Sequence, residues 1–124
     1  MLDLDALVLE DIARLFPDRA EPTVGRWEPG TPGRRARLTL LRLLRLVLRA
    51  AADAGEPPRR IDAAHVRRTD GSPVTALLLG FDAPASFEAH VDWDVLDRRA
   101  RLRGGEVGID RTTEALRVRL AAGD

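Results

Sequence analysis

Residues 38–54 constrain this chain more than any other stretch. They contain no Gly or Pro and are mostly Leu, Ala and Arg, all strong helix formers. Arg42, Arg45 and Arg49 stand at i, i+3 and i+7 and therefore share one face of the helix. Nearly all the rest is apolar, so the helix has to be buried around most of its circumference, with one basic ridge left over. What that ridge faces is the functional question.

The other segments say what can cover such a helix. At 124 residues the chain has the length of one domain with one core, so 1–124 is read as a single unit. Hydrophobic residues make up 44% and charged residues 32%, which suits a folded soluble domain. The formal net charge is zero, which argues against a general nucleic-acid surface. There is no Cys, so disulfides, thiolate metal sites and Cys nucleophiles are excluded. Arg interrupts the longest apolar stretches every three or four residues, which rules out a membrane span there. The start is acidic rather than basic, unlike a signal peptide, and the default expectation is a cytoplasmic protein.

Leu4, Leu7, Val8, Ile12, Leu15 and Phe16 recur at helical spacing, with Asp3 or Asp5 as N-cap and Pro17 as the stop. Residues 23–28, with Val24 and Trp27, read as an edge strand. A Pro/Gly-rich loop follows, in which Thr31 is the expected cap and Pro32 the first position of the long helix. Gly55 closes that helix, with Pro57 and Pro58 just beyond. Residues 61–69 and 73–81 flank Asp70-Gly71-Ser72 as a hairpin. Its second arm is apolar on both faces, which places it centrally in the sheet. Residues 82–91 carry no clear pattern. Asp92 or Asp94 caps a third helix running to Arg103, ended by Gly104-Gly105. Residues 106–110 and 115–121 alternate apolar and polar around a turn at Thr112-Thr113-Glu114. The expected fold is α/β: a two-layer sandwich with a mixed, mostly antiparallel sheet of about five strands and three helices on one face.

This order, together with the run Leu-Asp-Arg-Arg-Ala-Arg-Leu-Arg-Gly-Gly-Glu-Val-Gly-Ile-Asp from Leu96 and Leu-Arg-Val-Arg-Leu from Leu116, resembles the ATP-binding domain of histidine kinases and their GHKL (Bergerat-fold) relatives. The resemblance covers most of the chain. It implies a nucleotide site on the long helix, where the family carries a Glu that acts as base or orients water and, four residues later, an Asn that holds Mg²⁺. Here Arg45 and Arg49 take those places. A guanidinium neither accepts a proton nor ligates a cation. The family's Asp-x-Gly motif, whose Asp reads adenine, falls at Asp82, with Pro84 where Gly should be. The glycine-rich lid is missing, and Asp92-Trp93-Asp94 replaces the glycine motif that should open the third helix. Without those glycines the backbone cannot wrap phosphates closely. The resemblance therefore implies a retained scaffold with the nucleotide machinery lost: no catalytic residues, no cofactor, no metal, and Arg45, Arg49 and Asp82 as a remnant pocket.

Each single feature has two readings. The arginine ridge is either a solvated face, or one salt-bridged to Asp82, Asp92 or Asp94, or else an anion site that grips phosphate or carboxylate bidentately. His65 and His90 stand alone in sequence and read as structural or surface residues, or as a two-His metal site if the fold brings them together, with no third ligand suggested. Trp93 reads as core, or as an interface anchor if exposed. Asp92, Asp94 and Asp97 read as a cap and helix-dipole pairing in preference to a metal cluster. Ser72 and Ser86 have no neighbouring His-Asp pattern. The functional expectation is an inactive ATPase-like domain that binds a protein partner in bacterial signalling: a response regulator, a kinase or a sigma-factor circuit. A homodimer is equally open. The alternative is a small anionic ligand or nucleotide held by the arginine-lined pocket. No nucleic-acid or membrane partner is expected.

Overall fold

The computed structural model describes residues 3–123. Helix α1 is Leu4–Leu15, strand β1 is Thr23–Glu28 and the long helix α2 is Arg34–Asp53. Strands β2 (Arg60–Arg67) and β3 (Pro73–Asp82) follow as a hairpin. A 3₁₀ helix, Ser86–His90, leads into α3, Trp93–Arg101. Strands β4 (Gly105–Arg111) and β5 (Ala115–Ala122) close the chain. The sheet order is β1-β2-β3-β5-β4. Only β1 and β2 run parallel, and α2 is the crossover that a parallel pair requires. The remaining pairs are antiparallel. β3 is the central strand, which explains why its residues are apolar on both faces, and β1 is an edge.

Alternation along the strands assigns the two faces. Ile61, Leu77, Leu79, Phe81, Leu116, Val118 and Leu120 are buried in one core with Leu40, Leu44, Val47 and Leu48 of α2 and Val8 and Ile12 of α1. The intervening residues, such as Arg60, Arg117 and Arg119, point the other way and are exposed. Val74, Ala76 and Ala121 make a small separate apolar patch on that second face. The helices thus cover one face of the sheet, a two-layer α/β sandwich.

Local chemistry sets the joints. Gly55, at φ +69°, ends α2 in the left-handed region that a side chain would disfavour, and the Glu56 N–H donates back to Ala51 O at 2.9 Å. The hairpin turn is held by Asp70, whose Oδ1 accepts from the Ser72 N–H at 2.9 Å and from the Ser72 hydroxyl at 2.6 Å. The start of α2 differs from expectation. Gly33, with ψ 174°, is the cap residue and makes no side-chain cap bond, so Thr31 and Pro32 lie outside the helix. The extended backbone at Gly33 delays the first helical turn until Arg34. The segment without a clear pattern becomes the 3₁₀ helix, fixed from outside rather than by its own periodicity. The Glu56 carboxylate accepts from the Ser86 N–H, the Ser86 hydroxyl and the Phe87 N–H at 2.9, 2.7 and 2.9 Å. Phe87 packs edge-on to Phe81 with ring centroids 4.8 Å apart, and Trp93 stands 6.4 Å from Phe87. Trp93 is half-buried, and its indole N–H donates to Glu88 O at 3.1 Å.

Candidate functional site

The outer face of α2 does not open onto bare solvent. Together with α3 and the 3₁₀ helix before it, this face encloses a groove of about 690 Å³. One wall carries Arg42, Arg45 and Arg49 of α2, with Leu43 and Leu46 between them. The other carries Val95, Leu96, Arg99 and Ala100 of α3, with Arg103 just beyond its end. His90, Val91 and Asp92 close one end. Leu46 is 56% exposed, so the ridge is not purely basic: an apolar strip runs among its arginines. That differs from the expected ridge of arginines alone. The wheel that aligns Arg42, Arg45 and Arg49 also brings Leu46 to the same side.

The five guanidiniums are not equivalent. Arg45 donates from Nε to Asp11 Oδ2 of α1 at 3.0 Å. Asp11 is only 4% exposed, and Arg14 also reaches it, at 3.6 Å. Among the described residues no side-chain hydrogen bond or ion pair reaches the guanidinium of Arg42, Arg49, Arg99 or Arg103. The ridge is therefore salt-bridged at one point only, and by Asp11 rather than by Asp82, Asp92 or Asp94. A run of unpaired guanidiniums over an apolar floor attracts carboxylate or phosphate and repels cations.

Asp92 is the carboxylate among the lining residues, and its Oδ1 accepts from the Val95 N–H at 3.2 Å as the N-cap of α3. Asp97, one turn on, is held by the Arg101 Nε at 2.9 Å and accepts from the Val107 N–H at 2.9 Å. Burial raises its carboxyl, but the Val107 N–H and Arg101 outweigh that and hold it below the ordinary value. These two bonds tie α3 to β4 and fix the wall that carries Arg99. The 3₁₀ helix is fixed in the same manner. Burial raises the Glu56 carboxyl, yet the Ser86 hydroxyl and the Ser86 and Phe87 N–H groups bring it below the ordinary glutamate value. The lining thus combines donors and apolar groups, with one carboxylate already engaged.

Of the residues expected at the site, Arg45 and Arg49 line the groove together. Asp82 does not join them: it is exposed at the end of β3 and paired with Arg59 at 2.9 Å. Arg42, Leu46, Arg99 and Arg103 are groove residues absent from the expected set. Arg99 and Arg103 stand four apart, beside Leu96, and that spacing was the available signal. His65 lies on β2 beside Gly30, whereas His90 borders the groove. No group of His, Asp and Glu suited to a metal ion occurs among the described residues. A shallower depression beside Trp93 and Ile109 is bordered by Arg111, which pairs with Glu88. No helix among the described residues is long and apolar enough to cross a membrane.

Neither a protein-family model nor a curated protein sequence matches this chain.

Proposed function

We propose that this chain is a catalytically inactive, histidine-kinase-like ATPase domain, that it serves as a protein-binding regulatory module in bacterial cytoplasmic signalling, and that the groove between α2 and α3 is its binding site. The observation that carries the proposal is the groove's chemistry. Unpaired Arg42 and Arg49 on α2 and Arg99 and Arg103 across the groove flank an apolar strip, and arginines stand on α2 where the family it resembles would need a base and a metal ligand. Arginine supplies neither role. Electrostatically the site suits an acidic partner and opposes Mg²⁺. A response regulator, a kinase or a component of a sigma-factor circuit is the class of partner the resemblance implies, and fold alone does not choose among them. A second copy of the chain is the further candidate.

Titration calorimetry with ATP and a non-hydrolysable analogue, with and without Mg²⁺, tests the inactive half of the proposal. The expected result is no turnover and no gain in affinity from Mg²⁺. Mg²⁺-dependent ATP binding with phosphate release would sink it.

One observation favours a second reading, a small anionic ligand or nucleotide. A volume of about 690 Å³ falls inside the range of roughly 300–1,000 Å³ common for small-molecule sites. Phosphate or a nucleotide at about 1 mM then raises the melting temperature if it binds more tightly than that concentration. An unchanged melting temperature removes this reading.

A further inference from the structure

We infer that the occupant of the groove is an acidic amphipathic helix of a partner protein, laid between α2 and α3 with its apolar side on Leu46 and Val95 and its carboxylates reaching the arginines on both walls. The inference rests on the reading of this groove as a protein-binding site and adds the chemistry of the partner.

Three features lead to it. The first is the distribution of charge. Arg42 and Arg49 on one wall, and Arg99 and Arg103 on the other, are unpaired cations facing across an apolar floor. A single phosphate bridges one or two of them and leaves Leu46 wet, although Leu46 is 56% exposed in the free protein. A helix with an apolar stripe flanked by Glu or Asp satisfies both walls and covers the floor at once. The second is length. The α2 wall runs from Thr39 to Arg49, about 15 Å at 1.5 Å per residue, or nearly three helical turns. The third is the nature of the walls. The groove lies between helices, whose backbone groups are largely satisfied internally, so an extended peptide finds no ladder to join. Recognition has to proceed through side chains, which is how a helix docks in a groove.

The lining also speaks against nucleic acid. It offers no Phe, Tyr or Trp for a base to stack on, and its one imidazole, His90, lies at the end where Asp92 stands. The net charge of the whole chain is zero, so the chain as a whole offers a polyanion no general attraction.

The test uses the full chain and a fluorescein-labelled peptide of about sixteen residues, with Leu at i, i+3, i+4 and i+7 and Glu on both flanks. Fluorescence anisotropy should show saturable binding that weakens with added salt. Arg99→Glu with Arg103→Glu should weaken it at least about tenfold, and Leu46→Ser should weaken it several-fold. All three positions are exposed, and thermal melts check that the variants remain folded. A peptide with Glu kept on one flank and Lys on the other should bind the parent chain weakly and the charge-reversed variant, whose α2 wall is still basic, more tightly than the all-Glu peptide does. That exchange of specificity is the decisive supporting result. Equal binding of a scrambled peptide or of a Gln-for-Glu peptide, or tighter binding of single-stranded DNA at the same arginines, overturns the inference. If the Glu peptide does not bind while ATP is still neither hydrolysed nor bound with Mg²⁺, only the helical occupant falls. If Mg²⁺-dependent turnover appears, the underlying reading falls with it.

Discussion

Arg45 donates to Asp11 at 3.0 Å, and this one bond joins the first helix to the ridge of the long one. The two ends of the bond have unequal surroundings: the Arg45 side chain is 54% exposed, that of Asp11 only 5%. Removing either partner should therefore have unequal effects. Arg45→Ala leaves a buried carboxylate with only the longer contact to Arg14 and is expected to cost about 2 kcal/mol. Asp11→Asn leaves an arginine free to turn into water and should cost about 1 kcal/mol. Urea denaturation of both variants measures the difference. Equal losses would mean that the carboxylate is not dependent on Arg45.

Leu44 and Leu46 separate the core of α2 from its groove face. Leu44 is fully buried and Leu46 is 56% exposed. Leu44→Ala is expected to cost about 3 kcal/mol, whereas Leu46→Ala should stay within about 0.5 kcal/mol. A large loss at Leu46 would show that the apolar strip supports folding, and would weaken its assignment to a partner.

Glu56 holds the 3₁₀ helix through an ionisable carboxylate, so this anchorage should respond to pH. Its carboxyl lies below the ordinary value in the folded chain, although burial opposes this, because Ser86 and Phe87 donate to it. A group with a depressed folded pKa contributes its full stabilisation above its unfolded value and loses it as pH falls through the folded one. Stability should accordingly decline on acidification below the ordinary glutamate range, more steeply in the parent than in Glu56→Gln. The variant should lose about 1 kcal/mol at neutral pH, where an amide replaces an ionised acceptor. Superimposable acid-unfolding curves for the two proteins would contradict this.

Gly25 is favoured by its neighbours rather than by its own backbone. The register of β1 on β2 shifts between Val24 and Trp27, and at this irregularity the Asp62 Oδ1 accepts from the Arg26 N–H at 2.7 Å. A Cβ on Gly25 would overlap Asp62 Oδ1 and the Arg60 guanidinium, which are paired above it. Gly25→Ala should cost about 1 kcal/mol, because the overlapping atoms are side-chain tips that can swing aside at the expense of the Arg60–Asp62 pair and the Asp62 bond to the Arg26 N–H. In an Asp62→Ala background the same change should cost clearly less, because the obstructing carboxylate is gone. Additive losses in a double-mutant cycle would place the cost elsewhere.

Local periodicity made much of this fold legible. The Leu spacing of α1, the Leu, Ala and Arg run of α2 without Gly or Pro and the alternation in β5 each have a signal within one element, and the strand at Thr23–Glu28 was readable to its ends. The cap of α2 was less so, because Thr31 offers cap chemistry that the extended Gly33 leaves unused. The 3₁₀ helix had no readable pattern, because Glu56, thirty positions away in sequence from Ser86, supplies its bonds.

Half of the candidate site could be read in the same manner. The sequence alone determined that α2 would carry Arg42, Arg45 and Arg49 on one face, since a helical period sets which residues share a side. It also determined that no Cys and no carboxylate or amide would stand at the ridge positions. Only the tertiary structure decided what the ridge meets. Packing of α1 assigned Arg45 to Asp11, the end of β3 took Asp82 away to Arg59, and the anchoring of α3 by Asp97 set Arg99 and Arg103 opposite Arg42 and Arg49. The physical reason is range: the placement of a side chain around its own helix is a local property of the backbone, whereas the charge it faces belongs to another element and is fixed only when the two layers pack.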